Sequence, residues 1–199
     1  MNISNHELIG DNIEQSPSPN KGGKFKDGDL QYIVIHYTAG ANRKSSVRSL
    51  SKKDRVVSAH VVIGRDGITS QLVPFDTIAF HAEKSEWDGK TGLNKFSIGI
   101  EMDNPGRLNE KGSEFLTSFK AKVDPSNVMK AVHRNEKKET LWHTYTDEQI
   151  ETCKKLCQDL IQQYGIKQVV GHEEISPGRK IDPGPAFPLD NFRVETINS

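Results

Sequence analysis

The stretch YIVIHYT, from Tyr32 to Thr38, constrains this chain more than any other. A run of β-branched and aromatic residues with almost no polar break describes a strand buried on both faces, at the centre of a sheet covered by helices. Such a strand needs apolar neighbours, and the chain supplies them. VVSAHVVIG, the turn Arg65-Asp66-Gly67 and ITSQLVPF read as a hairpin. FSIGIEM (Phe96 to Met102) and KQVVGHEEI (Lys167 to Ile175) read as two further strands. Asn42 to Lys52 forms a short helix with Val47 and Leu50 inward. A longer helix opens at Thr146, where Gln149 three positions on completes a capping box. Its stripe of Ile150, Cys153, Cys157, Leu160, Ile161 and Tyr164 faces one way, and Gly165 ends it. The expected fold is α/β (α+β): a single domain with a central mixed β-sheet flanked by helices, a size for which 199 residues suffice.

Two segments fall outside that frame. Residues 1–28 are polar and punctuated by Ser, Pro, Asn and Gly, and read as an N-terminal extension or linker preceding a domain over 29–194. Residues 104–145 read as a polar, irregular insertion with one or two short helices.

Lys and Arg total 27, as do Asp and Glu. This balance argues against sequence-blind nucleic-acid binding, which needs a basic surface. No apolar run approaches the roughly 18 residues of a membrane span. The first residues lack the basic start and apolar core of a secretory signal, which points to a cytoplasmic protein or one delivered by another route. Cys153 and Cys157, on one helix face, read as small buried apolar side chains.

The chemistry concentrates where apolar runs stop. The first strand leads straight into His36 before Thr38, Ala39 and Gly40, and strand ends opening onto loops are common places for site residues. Standing alone, His36 reads equally as a core histidine. His172 lies near the end of VVGH, and the tail after it, EEISPGRKIDPGPAFP, is too rich in Pro and Gly for helix or sheet. Within this rigid loop Lys180 and Asp182 are two apart and share one side of an extended backbone. Two histidines and a carboxylate make the shell of a catalytic zinc with its fourth position left for water. Glu101, closing FSIGIE, is a candidate general base, and Lys180 a candidate stabiliser of an oxyanion.

The segments IVIHYTAG, VSAHVVIGRDGITSQLVPFDTIAFHA, NKFSIGIEM and VVGHEEISPGRKIDPGPAF run from Ile33 to Phe187. In that order they resemble the zinc-dependent N-acetylmuramoyl-L-alanine amidase family (amidase type 2), which includes T7-type lysozymes and peptidoglycan recognition proteins. The last segment is similar to the bacterial branch whose third ligand is Asp. The resemblance implies one Zn2+ per chain on His36, His172 and Asp182, with Glu101 as general base and Lys180 stabilising the transition state. It implies a hydrolase of cell-wall peptidoglycan or muropeptides, cutting the amide between N-acetylmuramic acid and L-alanine.

By the same resemblance His60 and His81 flank the cleft, touching substrate or supporting the metal shell, while each also reads as a structural hydrogen-bonding histidine. Trp142, with His143 and Tyr145, reads either as a stacking platform for sugar or peptide or as an anchor for the following helix. Arg179 reads as a loop arginine within reach of a substrate carboxylate. His6 and His133 read as surface residues, and the insertion as a lining of the substrate groove. A monomer with a muropeptide partner is expected. Two rival readings are a peptidoglycan-sensing module without catalysis, whose relatives typically lack zinc ligands, and a zinc hydrolase of another amide.

Overall fold

The computed structural model describes residues 1–197. Its centre is a six-stranded sheet built from β1 (Ile13–Gln15), β2 (Tyr32–Tyr37), β3 (Val61–Ile63), β4 (Thr69–Gln71), β5 (Ser97–Met102) and β6 (Gln168–Gly171). The order across the sheet is β6-β2-β5-β3-β4-β1. Strands β6, β2, β5 and β3 run parallel, β3 and β4 form the expected antiparallel hairpin, and β1 lies parallel to β4. The sheet is mixed, as its apolar runs require.

Helix α2 (Asp147–Tyr164) covers one face. Thr146 and Gln149 form the capping box, Asp147 and Glu148 oppose the positive end of the helix dipole, and Gly165 closes the helix at φ 64°. Its buried Cys153, Leu156, Cys157 and Leu160 pack on Ile33, Ile35, Ile98 and Ile100. Helix α4 (Leu189–Ile197) adds Leu189 and Phe192 to this core. Across the sheet, α1 (Arg43–Leu50), capped by Asn42, lays Val47 and Leu50 against Val62, Leu72, Val73 and Ala79. No helix among the described residues is long and apolar enough to cross a membrane.

Four expectations need correction. First, residues 1–28 are part of the fold. The hairpin Asn2–Ser4 with Glu7–Ile9 buries Leu8 in the main core, β1 extends the central sheet, and Lys21–Lys24 pairs with Thr77–Ala79. Their polar groups are paid for by distant partners: Gln71 Oε1 accepts from the Leu8 N–H, and Glu14 receives Arg43 at 2.7 Å. Second, within VVSAHVVIG only Val61–Ile63 is strand. Third, β6 stops at Gly171, and His172–Ile175 turns into a short helix, α3. The Glu174 carboxylate accepts the Gly171 N–H at 2.8 Å, which caps α3 there.

Fourth, the insertion is not irregular. Arg107–Lys111, Glu114–Leu116, Lys122–Val123, Val128–Val132 and Glu139–His143 make a five-stranded sheet whose pairings are all antiparallel. Nearly all of its strand side chains are partly or fully exposed, so apolar alternation, the usual signature of a strand, is weak here. Leu108, Thr117, His133 and Trp142 are its buried side chains within the strands and turns.

Candidate active site

The parallel strands end together, and that brings the site into being. Glu101 lies in register with His36 on adjacent strands, and Gly171 pairs with Ile35, so His172 emerges beside His36. The carboxyl ends of neighbouring parallel strands are where open α/β sheets place their sites. The Pro-rich loop then folds back and delivers Asp182 to the two histidines.

The three ligand-type atoms converge. His36 Nδ1 lies 2.9 Å from His172 Nδ1 and 3.0 Å from Asp182 Oδ2, and His172 Nδ1 lies 2.9 Å from that same oxygen. All three side chains are buried. Around a tetrahedral ion with bonds of about 2.0–2.1 Å such edges measure roughly 3.3 Å, so the triangle needs only a few tenths of an ångström of spreading.

Proton positions follow from the neighbours. His81 Nε2 faces the Ser97 carbonyl at 3.3 Å, which can only accept, so the His81 proton sits on Nε2. His81 Nδ1 is then an acceptor, 3.0 Å from His36 Nε2, which must donate. The His36 Nδ1 lone pair is thereby left free and directed into the triangle, the state a metal ligand requires. At most one proton, on His172, remains to satisfy three crowded acceptor atoms. A bound cation resolves that arrangement, and on this ground the residues fit a metal.

The electrostatics agree. Burial, together with His172, pushes the His36 imidazole down to about 4, keeping it neutral. Burial opposes the charge of Asp182, yet the close contacts with His172 and His36 hold its carboxyl well below the usual range. Glu101 is pushed the other way, up to about 8, by burial and then by Asp182, with Lys180 working against the rise. Its Oε2 is sealed from solvent and has no hydrogen-bond partner among the described residues. An unpartnered buried carboxylate oxygen with a raised pKa is an unusual expense outside a functional site.

The cleft over this group has a volume of about 480 Å3, and its lining includes His36, Glu101, His172, Lys180, Asp182 and His81. Lys180 donates to Glu83 at 3.2 Å. Arg179 also lines the cleft, but its guanidinium is engaged by Glu83, the Lys84 carbonyl at 2.6 Å and Ser176 Oγ at 2.8 Å. Glu83, which holds both cations, carried no signal in the sequence.

Other candidates lie elsewhere. His60 is fully buried and does not line the cleft. Its Nδ1 accepts the Gly99 N–H and its Nε2 donates to the Thr77 carbonyl, both at 2.9 Å, so it fastens the strand beneath His81. Trp142 is 1% exposed, stacked on His133 and pressed under Gly184, which corrects the substrate-stacking reading in favour of an anchor. Tyr145 anchors as well, donating to the Pro183 carbonyl at 2.8 Å. His133, expected at the surface, is fully buried. No residue of 104–145 lines the cleft.

The chain resembles known proteins in sequence and in fold. The profile described as N-acetylmuramoyl-L-alanine amidase matches residues 26–185. The chain is 35% identical over 180 residues to the N-acetylmuramoyl-L-alanine amidase AmiD of Escherichia coli (strain K12), covering 85% of this chain and 54% of that protein. It is 35% identical over 140 residues to the 1,6-anhydro-N-acetylmuramyl-L-alanine amidase AmpD of the same organism, covering 69% and 57%. The chain thus spans little more than half the length of these curated relatives. Among solved structures, a selenomethionine AmpD derivative superposes with a TM-score of 0.65 at 25% identity, over 98% of this chain and 99% of that one. E. coli AmiD in complex with the substrate anhydro-N-acetylmuramic acid-L-Ala-D-gamma-Glu-L-Lys superposes with a TM-score of 0.63 at 31% identity, over 84% and 57%.

Proposed function

Because the chain belongs to the N-acetylmuramoyl-L-alanine amidase family, we propose that it hydrolyses the amide between N-acetylmuramic acid and L-alanine in peptidoglycan or muropeptides. His36, His172 and Asp182 hold one zinc ion. The observation that carries this reading is the buried triangle of His36 Nδ1, His172 Nδ1 and Asp182 Oδ2 with the unpartnered Glu101 Oε2 in the same cleft.

Zinc bound there would supply a Lewis acid for the scissile carbonyl, and its positive charge would favour the ionised, proton-accepting form of the Glu101 carboxyl that burial otherwise pushes up to about 8. Glu101 Oε2, free of other bonds, takes the proton of the attacking water and returns it to the leaving L-alanine nitrogen. The Lys180 ammonium, tethered by Glu83 at 3.2 Å, offsets the negative charge that develops on the carbonyl oxygen. His81 holds the His36 ring in the one tautomer that leaves Nδ1 free.

The test is digestion of defined muropeptides, beginning with the anhydro form that the AmiD complex contains, beside metal analysis of the same sample. About one zinc per chain and free stem peptides beginning with L-alanine are expected. Full cleavage by demonstrably metal-free protein overturns the metal assignment. New reducing sugar ends or cleavage inside the stem overturns the bond assignment.

A further inference from the structure

The Pro-rich loop that carries Asp182 has no strand or helix ladder to position it. Hydrogen bonds do so: Tyr145 holds the Pro183 carbonyl, and two more, one on each side of Pro183, go to Glu173, the residue after His172. The Glu173 N–H donates to the Asp182 carbonyl at 2.8 Å, and its Oε2 accepts the Gly184 N–H at 3.0 Å. Glu173 therefore grips the loop at Asp182 and again two residues later. It is 2% exposed and does not line the cleft.

Glu173 is in turn held by three consecutive residues of the insertion. His133 Nε2 donates to Oε2 at 2.7 Å, Arg134 Nε to Oε1 at 2.8 Å, and Asn135 Nδ2 to the Glu173 carbonyl at 2.9 Å. His133 Nδ1 accepts the Asn135 N–H at 3.2 Å, which puts the ring proton on Nε2, facing Glu173. The His133 ring stacks on Trp142 at 5.7 Å, and Trp142 fills the space under Gly184 so closely that an added Cβ would lie 2.7 Å from it.

We propose that Glu173 is a clamp setting the register of Asp182 against His172, and that the 104–145 insertion serves the metal centre by holding Glu173 through His133, Arg134 and Asn135, without touching substrate. The inference rests on the reading of the triad as a zinc site. Its physical basis is that a buried carboxylate deprived of its donors is costly. Without His133 the loop shifts to let Glu173 reach water, and a ligand triangle with 3 Å edges (2.9–3.0 Å) opens with it.

The experiment measures zinc dissociation constants of the full chain by competition with a chromophoric chelator, with circular dichroism confirming the fold of each variant. His133→Leu is expected to weaken zinc binding by roughly 10-fold, the low end of what loss of a ligand's own outer partner costs, because His133 acts on Asp182 through Glu173. His133→Gln, which keeps a donor near Nε2, is expected to recover most of that loss. At saturating zinc, KM for a muropeptide is expected to stay at the wild-type value in both. A folded His133→Leu binding zinc within about twofold of wild type overturns the clamp, and a raised KM at saturating zinc overturns the claim that the insertion leaves substrate alone. Should His133→Leu fail to fold, the double variant Arg134→Ala/Asn135→Ala decides by the same twofold criterion, since both positions are solvent-exposed. Wild-type protein that binds no zinc overturns the site reading itself, which keeps the two failures distinct.

Discussion

Gly99→Ala adds one methyl group at the floor of the site, and the structure says where it goes. Gly99 sits mid-strand in β5, so alanine meets no backbone obstacle there. Its Cβ would lie 2.3 Å from His81 Cγ and 2.6 Å from His81 Nδ1. Carbon atoms rest at about 3.5–4.0 Å, so the ring must retreat by roughly 1 Å or more. His81 cannot do so and keep both its 3.0 Å bond to His36 and its 3.3 Å bond to Ser97. Two losses are expected. Overpacking destabilises the metal-free protein by about 1–3 kcal/mol, and release of the His36 tautomer weakens zinc binding by roughly 10–100-fold.

A double-mutant cycle separates these effects from a general disturbance of the strand. His81→Ala alone weakens zinc binding for the same reason and also vacates the space that the new methyl needs. Adding Gly99→Ala to it should then cost less than about 0.5 kcal/mol in stability and change zinc binding little, a strongly non-additive result. Chemical denaturation of the metal-free proteins and chelator competition supply the numbers. Gly99→Ala with wild-type zinc affinity, or two effects that simply add, would refute the reasoning that His81 acts through His36.

Glu101→Gln is expected to keep its zinc while turnover of muropeptides falls by roughly 10²–10⁴-fold; wild-type turnover with zinc retained removes Glu101 from the role of base. Lys180→Ala is expected to lower turnover by about 10²–10³-fold, read only after zinc content is measured, because Asp182 is two residues away; an unchanged rate places the oxyanion's charge partner elsewhere. His60 gives a pH prediction for the metal-free protein: burial pushes its imidazole from 6.5 down to about 4, so its contribution is present above pH 6.5 and is lost as pH falls towards 4. Urea denaturation between pH 7 and pH 4.5 should show a shallower acid loss for His60→Leu than for wild type, and parallel slopes would contradict it.

How much of this could be read in the chain depends on how far each feature's cause lies along it. The strands β2 and β5, the hairpin of β3 and β4 and the capped α2 each arise from a pattern within about a dozen residues, and each appears in the structure. His36 and Glu101 belong with them, because a titratable residue at the end of an apolar parallel strand needs only the strand to be placed. His172 was legible for a similar reason, although the strand stops one residue before it. The insertion and the N-terminal segment were not, since their order comes from partners far along the chain. Leu8 is held by Gln71, 63 positions away, and His133 by Glu173, 40 positions away. Nothing in the local text of VHRNEKKET marks its histidine as buried, because the segment is charged and the ring is covered only when the sheet brings Trp142 to one side and Glu173 to the other. The same reason accounts for Lys180. Its spacing from Asp182 put both side chains at one cleft, but the tether to Glu83, 97 positions back, decides where the ammonium waits. A cation held by an exposed carboxylate is free to leave it when a stronger negative charge develops nearby, which is the behaviour the proposed oxyanion stabiliser needs.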